Sequence, residues 1–312
     1  MGKIMSVTGP ISSDKLGFTS IHEHIFLDLT KDKWGTNSLL NDFELAQKEL
    51  MLYKKAGGQT IIDQTTGGLR GHDHELFPYK HSLAIRKISQ STGINIILGT
   101  GWYREPYYDK HIYSNKTDQL AEELVNDVEK GIEGTDVKAG ILGEIGTHFT
   151  WMSAAEERVF RAVARAHNKT GVAIATHALN CPVGLAQLDI FQEEKVDLRK
   201  VIIGHCQTWP DKDYHLALAK RGAFLAFDRM GVINEYDKNL TFDLIKSLID
   251  YGYTNQILLG QDVCYRSDYV IYGGNGYEYL PSKCEKDITD FGINREDYYK
   301  MVIDNPRNAL NK

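Results

Sequence analysis

Eight short apolar runs punctuate this chain, and a stretch of helical period follows each of them. The runs fall at residues 17–21, 60–65, 94–99, 137–144, 172–177, 201–205, 223–228 and 256–262. Most are β-branched or aliphatic, without a polar residue at every second position. That pattern suits strands covered on both faces, as in a parallel sheet. Residues 42–56, 81–91, 118–131, 154–170, 183–194, 213–221, 240–251 and 295–303 instead repeat apolar positions at helical spacing. Gly57-Gly58 and Gly171 stop two of these helices, and Pro306 is expected to stop the last. Eight strand–helix units in 312 residues predict an α/β fold, a closed (β/α)8 TIM barrel, with residues 1–312 as a single domain. An open doubly wound sheet is the alternative, but no GxGxxG turn follows the first strand.

In such a barrel the C-terminal strand ends converge on one mouth and carry the chemistry. Reading those ends gives His22 and His24 on the first strand and Glu144 on the fourth. His177 ends the fifth, His205 the sixth and Asp262 the eighth. His22 and His24 are two apart: on a helix they would diverge, whereas on a strand they share a face and can reach one ion. Each residue alone has an ordinary explanation, as a hydrogen-bonded core histidine, a helix-capping glutamate or a turn aspartate. Independent accident is a poor account of all six together. Nitrogen and oxygen donors without thiolate suit Zn2+ above all, and also Mn2+, Co2+, Fe2+ or Ni2+. Six donors exceed what one tetrahedral catalytic ion takes and match two divalent metal ions sharing a bridging carboxylate, Glu144. The predicted chemistry is metal-assisted hydrolysis, in which a hydroxide between the ions attacks and Asp262 relays its proton to the leaving group.

Composition adds exclusions. The net charge is −6 and lysine and arginine form no stripe, so nucleic acid is not the expected partner. No apolar run approaches the ~18 residues of a membrane span, and the first residues lack the apolar core of a signal peptide. Cys181, Cys206, Cys264 and Cys284 show no CxxC spacing. They argue for a reducing compartment and against a disulfide framework or a cysteine zinc site. The expectation is a soluble cytoplasmic protein acting on a small molecule.

The chain resembles the phosphotriesterase family of the amidohydrolase superfamily. The residues that carry the resemblance are His22-Glu23-His24, Gly99-Thr100-Gly101, the strand-end His177 and His205, Phe227-Asp228-Arg229 and Asp262. It implies a binuclear, usually zinc, centre, with His22, His24 and Asp262 on the buried ion and His177 and His205 on the more exposed one. Many members bridge the ions with a carbamylated lysine on the fourth strand. Here Gly143-Glu144-Ile145-Gly146 offers a glutamate, as in a subgroup of bacterial homologues. That departure shifts the expectation from phosphotriesters toward lactones of carbohydrate type. The resemblance also implies that Tyr103 hydrogen-bonds the bridging hydroxide, and relatives often form homodimers.

The loops narrow the substrate. Arg229 follows the seventh strand and is expected to close over it. Arg266 and Tyr269 are three apart, so one helical turn would aim both at one spot. With Lys238 as a weaker candidate, they predict a cradle for an anionic group. The expectation is a lactonase opening a small sugar-acid lactone, phosphorylated or not. Phosphotriester, carboxyl ester, acyl-homoserine lactone or amide hydrolysis would use the same machinery, and a metal-bearing ligand-binding barrel is the non-enzymatic rival. The plain alternative for Arg266 is an ion pair with Asp268 or a barrel carboxylate. His72 and His74 are expected to be exposed loop residues, His148 a supporting or loop residue, and His167 a packing or surface one. Trp151 and Trp209 are expected as pocket wall or subunit contact.

Overall fold

The apolar runs form eight parallel strands that neighbour one another in sequence order. They are β1 Thr19–Glu23, β2 Thr60–Asp63, β3 Asn95–Thr100, β4 Ile141–Gly146, β5 Ile174–His177, β6 Val201–Ile203, β7 Phe224–Phe227 and β8 Ile257–Leu259. The computed structural model describes residues 2–70, 80–231 and 234–311, so His72 and His74 lie outside the described residues. Seven helices follow the strands in turn: α1 Phe43–Lys55, α2 His81–Thr92, α3 Thr117–Glu129, α4 Ala154–Thr170, α5 Gly184–Glu193, α6 Lys212–Lys220 and α7 Glu235–Asp250. The fold is a (β/α)8 barrel.

Asn95 apart, every residue of these strands is buried, which is why the sequence shows runs rather than alternation. Each strand sends an aliphatic residue inward: Ile21, Ile62, Ile97 and Ile141 from the first four, then Ala175, Ile202, Ala226 and Leu258. They fill the barrel as a plug rather than lining a pore. A hairpin of Lys3–Ser6 and Gly9–Ser12 lies across the N-terminal end and adds Ile4 to this plug. A larger apolar layer joins the strands to the helices.

Glu23 stitches β8 to β1. Its carboxyl oxygens accept hydrogen bonds from the Gln261 N–H at 3.0 Å and the Val263 N–H at 3.1 Å, and from the Ser20 hydroxyl. Between them the Asp262 N–H donates to the His22 carbonyl at 3.0 Å. Burial pushes the Glu23 pKa up to about 8.

Helix boundaries follow local chemistry. Ser153 caps α4 with a reciprocal Glu156 contact, and Gly171 closes it at φ 70°. α7 begins five residues before the apolar period does, because Asn234 caps a polar first turn by accepting from the Asp237 N–H. Pro306 does not end the last helix. The helix Arg295–Tyr299 passes through a wide turn, Lys300–Asp304, into Asn305–Leu310, and Pro306 sits in the first turn of that segment, where no N–H is needed. Among the described residues no helix is long and apolar enough to cross a membrane.

Replacing Glu23 by alanine strands two buried N–H groups at the seam. Urea unfolding of Glu23→Ala should show a loss of about 3 kcal/mol; an unchanged midpoint would remove Glu23 as the closure.

Candidate metal centre

The six strand-end donors meet in one buried cluster. His22 lies within β1 and His24 just beyond it, Glu144 within β4, and His177 at the last position of β5. His205 and Asp262 follow β6 and β8 in left-handed backbone, at φ 58° and 50°. Such geometry costs a non-glycine residue about 1–3 kcal/mol and persists only where neighbours enforce it. Here the His205 N–H donates to both Asp228 oxygens, at 3.0 and 3.2 Å. Gly204 permits the approach, since a Cβ there would stand 2.3 Å from the Thr176 carbonyl oxygen.

Far-side contacts decide which ring nitrogens face the centre. His22 Nδ1 donates to Asp228 Oδ2 at 2.9 Å, and His205 Nδ1 donates to Asp228 Oδ1 at 2.8 Å. His24 Nδ1 meets Thr65 Oγ1 at 3.0 Å. The Nε2 atoms of all three are thereby turned inward, the usual second-shell arrangement for ligating imidazoles. His177 is the exception: its Nδ1 faces inward, and its Nε2 lies 3.3 Å from the Tyr103 hydroxyl.

The spacing of the inward atoms fits an ion on one side. His22 Nε2 is buried without a hydrogen-bond partner, 3.6 Å from Glu144 Oε1 and 3.8 Å from Asp262 Oδ1. His24 Nε2 stands 3.4 Å from Asp262 Oδ1 and 3.9 Å from Glu144 Oε2. Two ligands of a tetrahedral zinc lie roughly 3.4 Å apart, so these four residues are spaced as a ligand set. The set Glu144, His177 and His205 is drawn in to hydrogen-bond range, 2.6–3.0 Å. Glu144 belongs to both sets, and together they make a His/Glu cluster able to hold metal. Asp228 also lies among donors, yet its contacts are hydrogen bonds to Nδ1 atoms, which makes it a positioning group.

Burial acts on every charge here. It opposes the charged form of Glu144, but the charges of His177 and His22 outweigh it and hold the carboxyl well below its ordinary range. Asp228 is likewise held down against burial by His205 and His22. Burial opposes the cationic form of His205, yet Asp228 raises its pKa to about 9, and His22 is held well above its ordinary value, against burial, by Glu144 and Asp228. For His177 burial prevails and its pKa falls to about 4. Burial, helped by Glu144 and Asp262, pushes Tyr103 well above its ordinary value, so it stays a neutral O–H.

A cavity of about 110 Å3 opens on the cluster, walled partly by Tyr103, Arg104, Arg229 and Tyr265. Arg229 Nη1 stands 4.0 Å from Asp262 Oδ2. Arg104, which the sequence reading missed, bonds Asp32 and His148 and stacks 5.0 Å over the Tyr103 ring. No motif marks it. Asp228 could have been found by the rule that found the ligands, since it directly follows β7.

Three expected substrate contacts lie elsewhere. Arg266 donates through Nε to the Leu39 carbonyl and through Nη2 to Asn41 Oδ1, both at 2.8 Å. Tyr269 is buried in the core against Tyr277. The helical turn covers only Arg266–Asp268 and Tyr269 is already extended, so the two side chains do not share a face. The alternative pairing with Asp268 is absent too, since that carboxylate accepts the Cys264 and Tyr265 N–H groups. Lys238 is paired with Glu235 at 2.8 Å and Asp287 at 3.1 Å. His148 supports Arg104, His167 is a buried packing residue bonded to the Val172 carbonyl, and Trp151 is exposed.

Asp228→Asn presents an amide donor to one of two Nδ1–H groups. Chelator competition should show metal affinity reduced about 10–100-fold, and wild-type affinity would refute the positioning role. Arg266→Ala should cost about 1–3 kcal/mol in urea unfolding while leaving kcat/KM unchanged. A loss of turnover in the folded variant would return Arg266 to the substrate.

The phosphotriesterase family profile matches residues 2–310. The phosphotriesterase homology protein of Escherichia coli is 31% identical over 296 residues, spanning 95% of this chain and 98% of that protein. An N-acetyltaurine hydrolase of Dictyostelium discoideum is 30% identical over 374 residues, spanning 99% and 98% respectively. The crystal structure of a lactonase from Listeria monocytogenes superposes with a TM-score of 0.90 at 30% identity, covering 99% of this chain and 98% of that one. The chain belongs to the phosphotriesterase family and is a hydrolase.

Proposed function

We propose that this chain is a two-metal hydrolase whose substrate is a small polar lactone. The observation that carries the reading is the buried, unpartnered His22 Nε2, aimed at Glu144 and Asp262 inside a cluster of six donors. His22, His24 and Asp262 would hold one ion, His177 and His205 the other, and Glu144 would bridge them. Zinc is the first candidate by donor type. Bound there, such a pair supplies Lewis acidity toward a carbonyl oxygen and acidifies water to a pKa near ~7.

The protein's own residues do the rest. Asp228 and Thr65 fix the imidazoles of His22, His24 and His205 with Nε2 inward. Asp262 turns Oδ1 toward His24 and Oδ2 toward Arg229 at the cavity wall. From there it takes the proton of the attacking water and returns it to the leaving oxygen. Tyr103 offers its neutral hydroxyl to the reacting oxygen. A pocket of about 110 Å3 at the cluster, walled by Leu27, Leu29, Leu69 and Leu179 as well as by Tyr103, Arg104 and Arg229, supports a compact ring at the reacting end.

Amide hydrolysis is the second reading, favoured by the 30% identity to an N-acetyltaurine hydrolase across 99% of this chain. The same groups serve it, with Asp262 protonating nitrogen in place of oxygen. Elemental analysis after chelator-free purification should give about two ions per chain, and a pH-indicator screen should show turnover of small polar lactones. Turnover of N-acyl amides alone would select the second reading, and a metal-free, inactive protein would overturn both. Asp262→Asn should lower kcat by a factor of about 100 or more; near-wild-type turnover would remove it as the proton carrier.

A further inference from the structure

The catalytic cavity does not end at its own walls. A second, larger groove of about 730 Å3 runs outward between the loops after β5, β6 and β7. The two share four lining residues: Lys33, Leu179, Arg229 and Tyr265. Two of the four are cations.

Among the described residues neither cation has a hydrogen-bond partner. Arg229 makes no hydrogen bond among the described residues, and its nearest carboxylate oxygen, on Asp262, is 4.0 Å away. That is an electrostatic contact, too long for any of the five guanidinium donors. Lys33 has no ion-pair or hydrogen-bond partner among the described residues. The contrast with other basic groups nearby is sharp, since Arg104 is tied to Asp32, and Lys238 to Glu235 and Asp287. Asp237, the carboxylate lining the groove, is held by the Asn234 amide at 2.8 Å in the cap of α7.

We infer that Arg229 and Lys33 form an oxyanion-binding step between the catalytic cavity and the groove, so that the substrate is an acid derivative carrying a second, anionic group. This rests on the hydrolase reading of the cluster and deepens it by naming the substrate class. A charge-assisted bond from Arg229 places that anion within about 7 Å of Asp262. The class is therefore short lactones, esters or amides with a carboxylate, sulfonate or phosphate a few bonds from the scissile carbonyl. The planar fork of Arg229 supplies direction and the Lys33 ammonium adds charge at the rim. Hydrolysis adds water across the acyl bond, so the product is a chain with an acid at each end, or an acid and a separate charged amine or alcohol.

The test uses the zinc-loaded enzyme and matched pairs: a carboxylated lactone against its methyl amide, and a short N-acyl sulfonate and phosphate against uncharged sulfone and phosphonate diester analogues. The charged member of at least one pair should be favoured in kcat/KM, and the preferred acid identifies the anion. Arg229→Gln should cut that preference roughly 10–100-fold and Lys33→Met several-fold, with Arg229→Lys restoring part of it. Calorimetric titration of the same pairs reads binding without turnover. Tighter binding of the charged members, weakened in Arg229→Gln, supports the step even if nothing is hydrolysed, in which case the hydrolase reading alone fails. Equal binding and turnover of charged and neutral members, or an unchanged preference in both variants, overturns it.

Discussion

A carboxylate sealed from water must find its counter-charge within a few ångströms, and Asp228 finds it on two imidazoles, one from β1 and one from the end of β6. Each oxygen takes one Nδ1–H, and the spare capacity goes to the His205 N–H and the Gln207 amide. This arrangement settles more than its own solvation. Engaging Nδ1 leaves Nε2 as the only nitrogen of His22 and His205 available to the interior. One buried carboxylate thus sets the aim of two rings from β1 and the end of β6.

The barrel makes such a cluster affordable by separating it from the part that must be stable. Below the cluster, each strand contributes an aliphatic residue to a dry plug. Above it, loops carry the polar groups and the two left-handed donors, His205 and Asp262. The strained donors and the charges of the cluster sit at the strand ends, where the seam between β8 and β1 is also tied by side-chain and single backbone bonds rather than a strand ladder. Glu23, between the two histidines of β1, points away from them into that seam. The pair that aims at the centre and the residue that closes the barrel therefore alternate on one strand, as period two requires.

What could be read in the sequence was whatever depends on period and position. Strands buried on both faces show as continuous apolar runs, so the barrel was legible. Once it was in place, the strand-end rule located the six donors as a cluster. What escaped was set by contacts between distant segments. Arg266 and Tyr269 have helical spacing, but the turn that holds Arg266 is one residue too short to carry both, and only the Leu39 carbonyl and Asn41 explain where the guanidinium goes. Asp228 was visible as a strand-end carboxylate, yet its part depends on two histidines at separations of 206 and 23 residues. The polar first turn of α7 and the passage of the last helix through Pro306 were hidden for a third reason. Capping and π-type turns override apolar periodicity locally and leave no apolar mark.

The same division explains how substrate choice can vary while the chemistry stays fixed. The donors and their supports, His22, Glu144, His177, Asp228 and Thr65, belong to strands or lie within two residues of their ends, so their geometry is inherited from the sheet. The cavity wall beyond Asp262 is built from loops: Lys33 before α1, Leu179 after β5, Arg229 after β7 and Tyr265 after β8. A loop can exchange a cation for an apolar side chain without moving a strand, and it changes the charge of the preferred substrate when it does. Arg229 stands where the two systems touch, one residue beyond the carboxylate that aims the histidines and 4.0 Å from the carboxylate proposed to carry the proton. In the proposed anion step, a guanidinium in that position would couple recognition of a remote charge to the reacting end of the substrate, because an anion drawn to it must lie alongside Asp262.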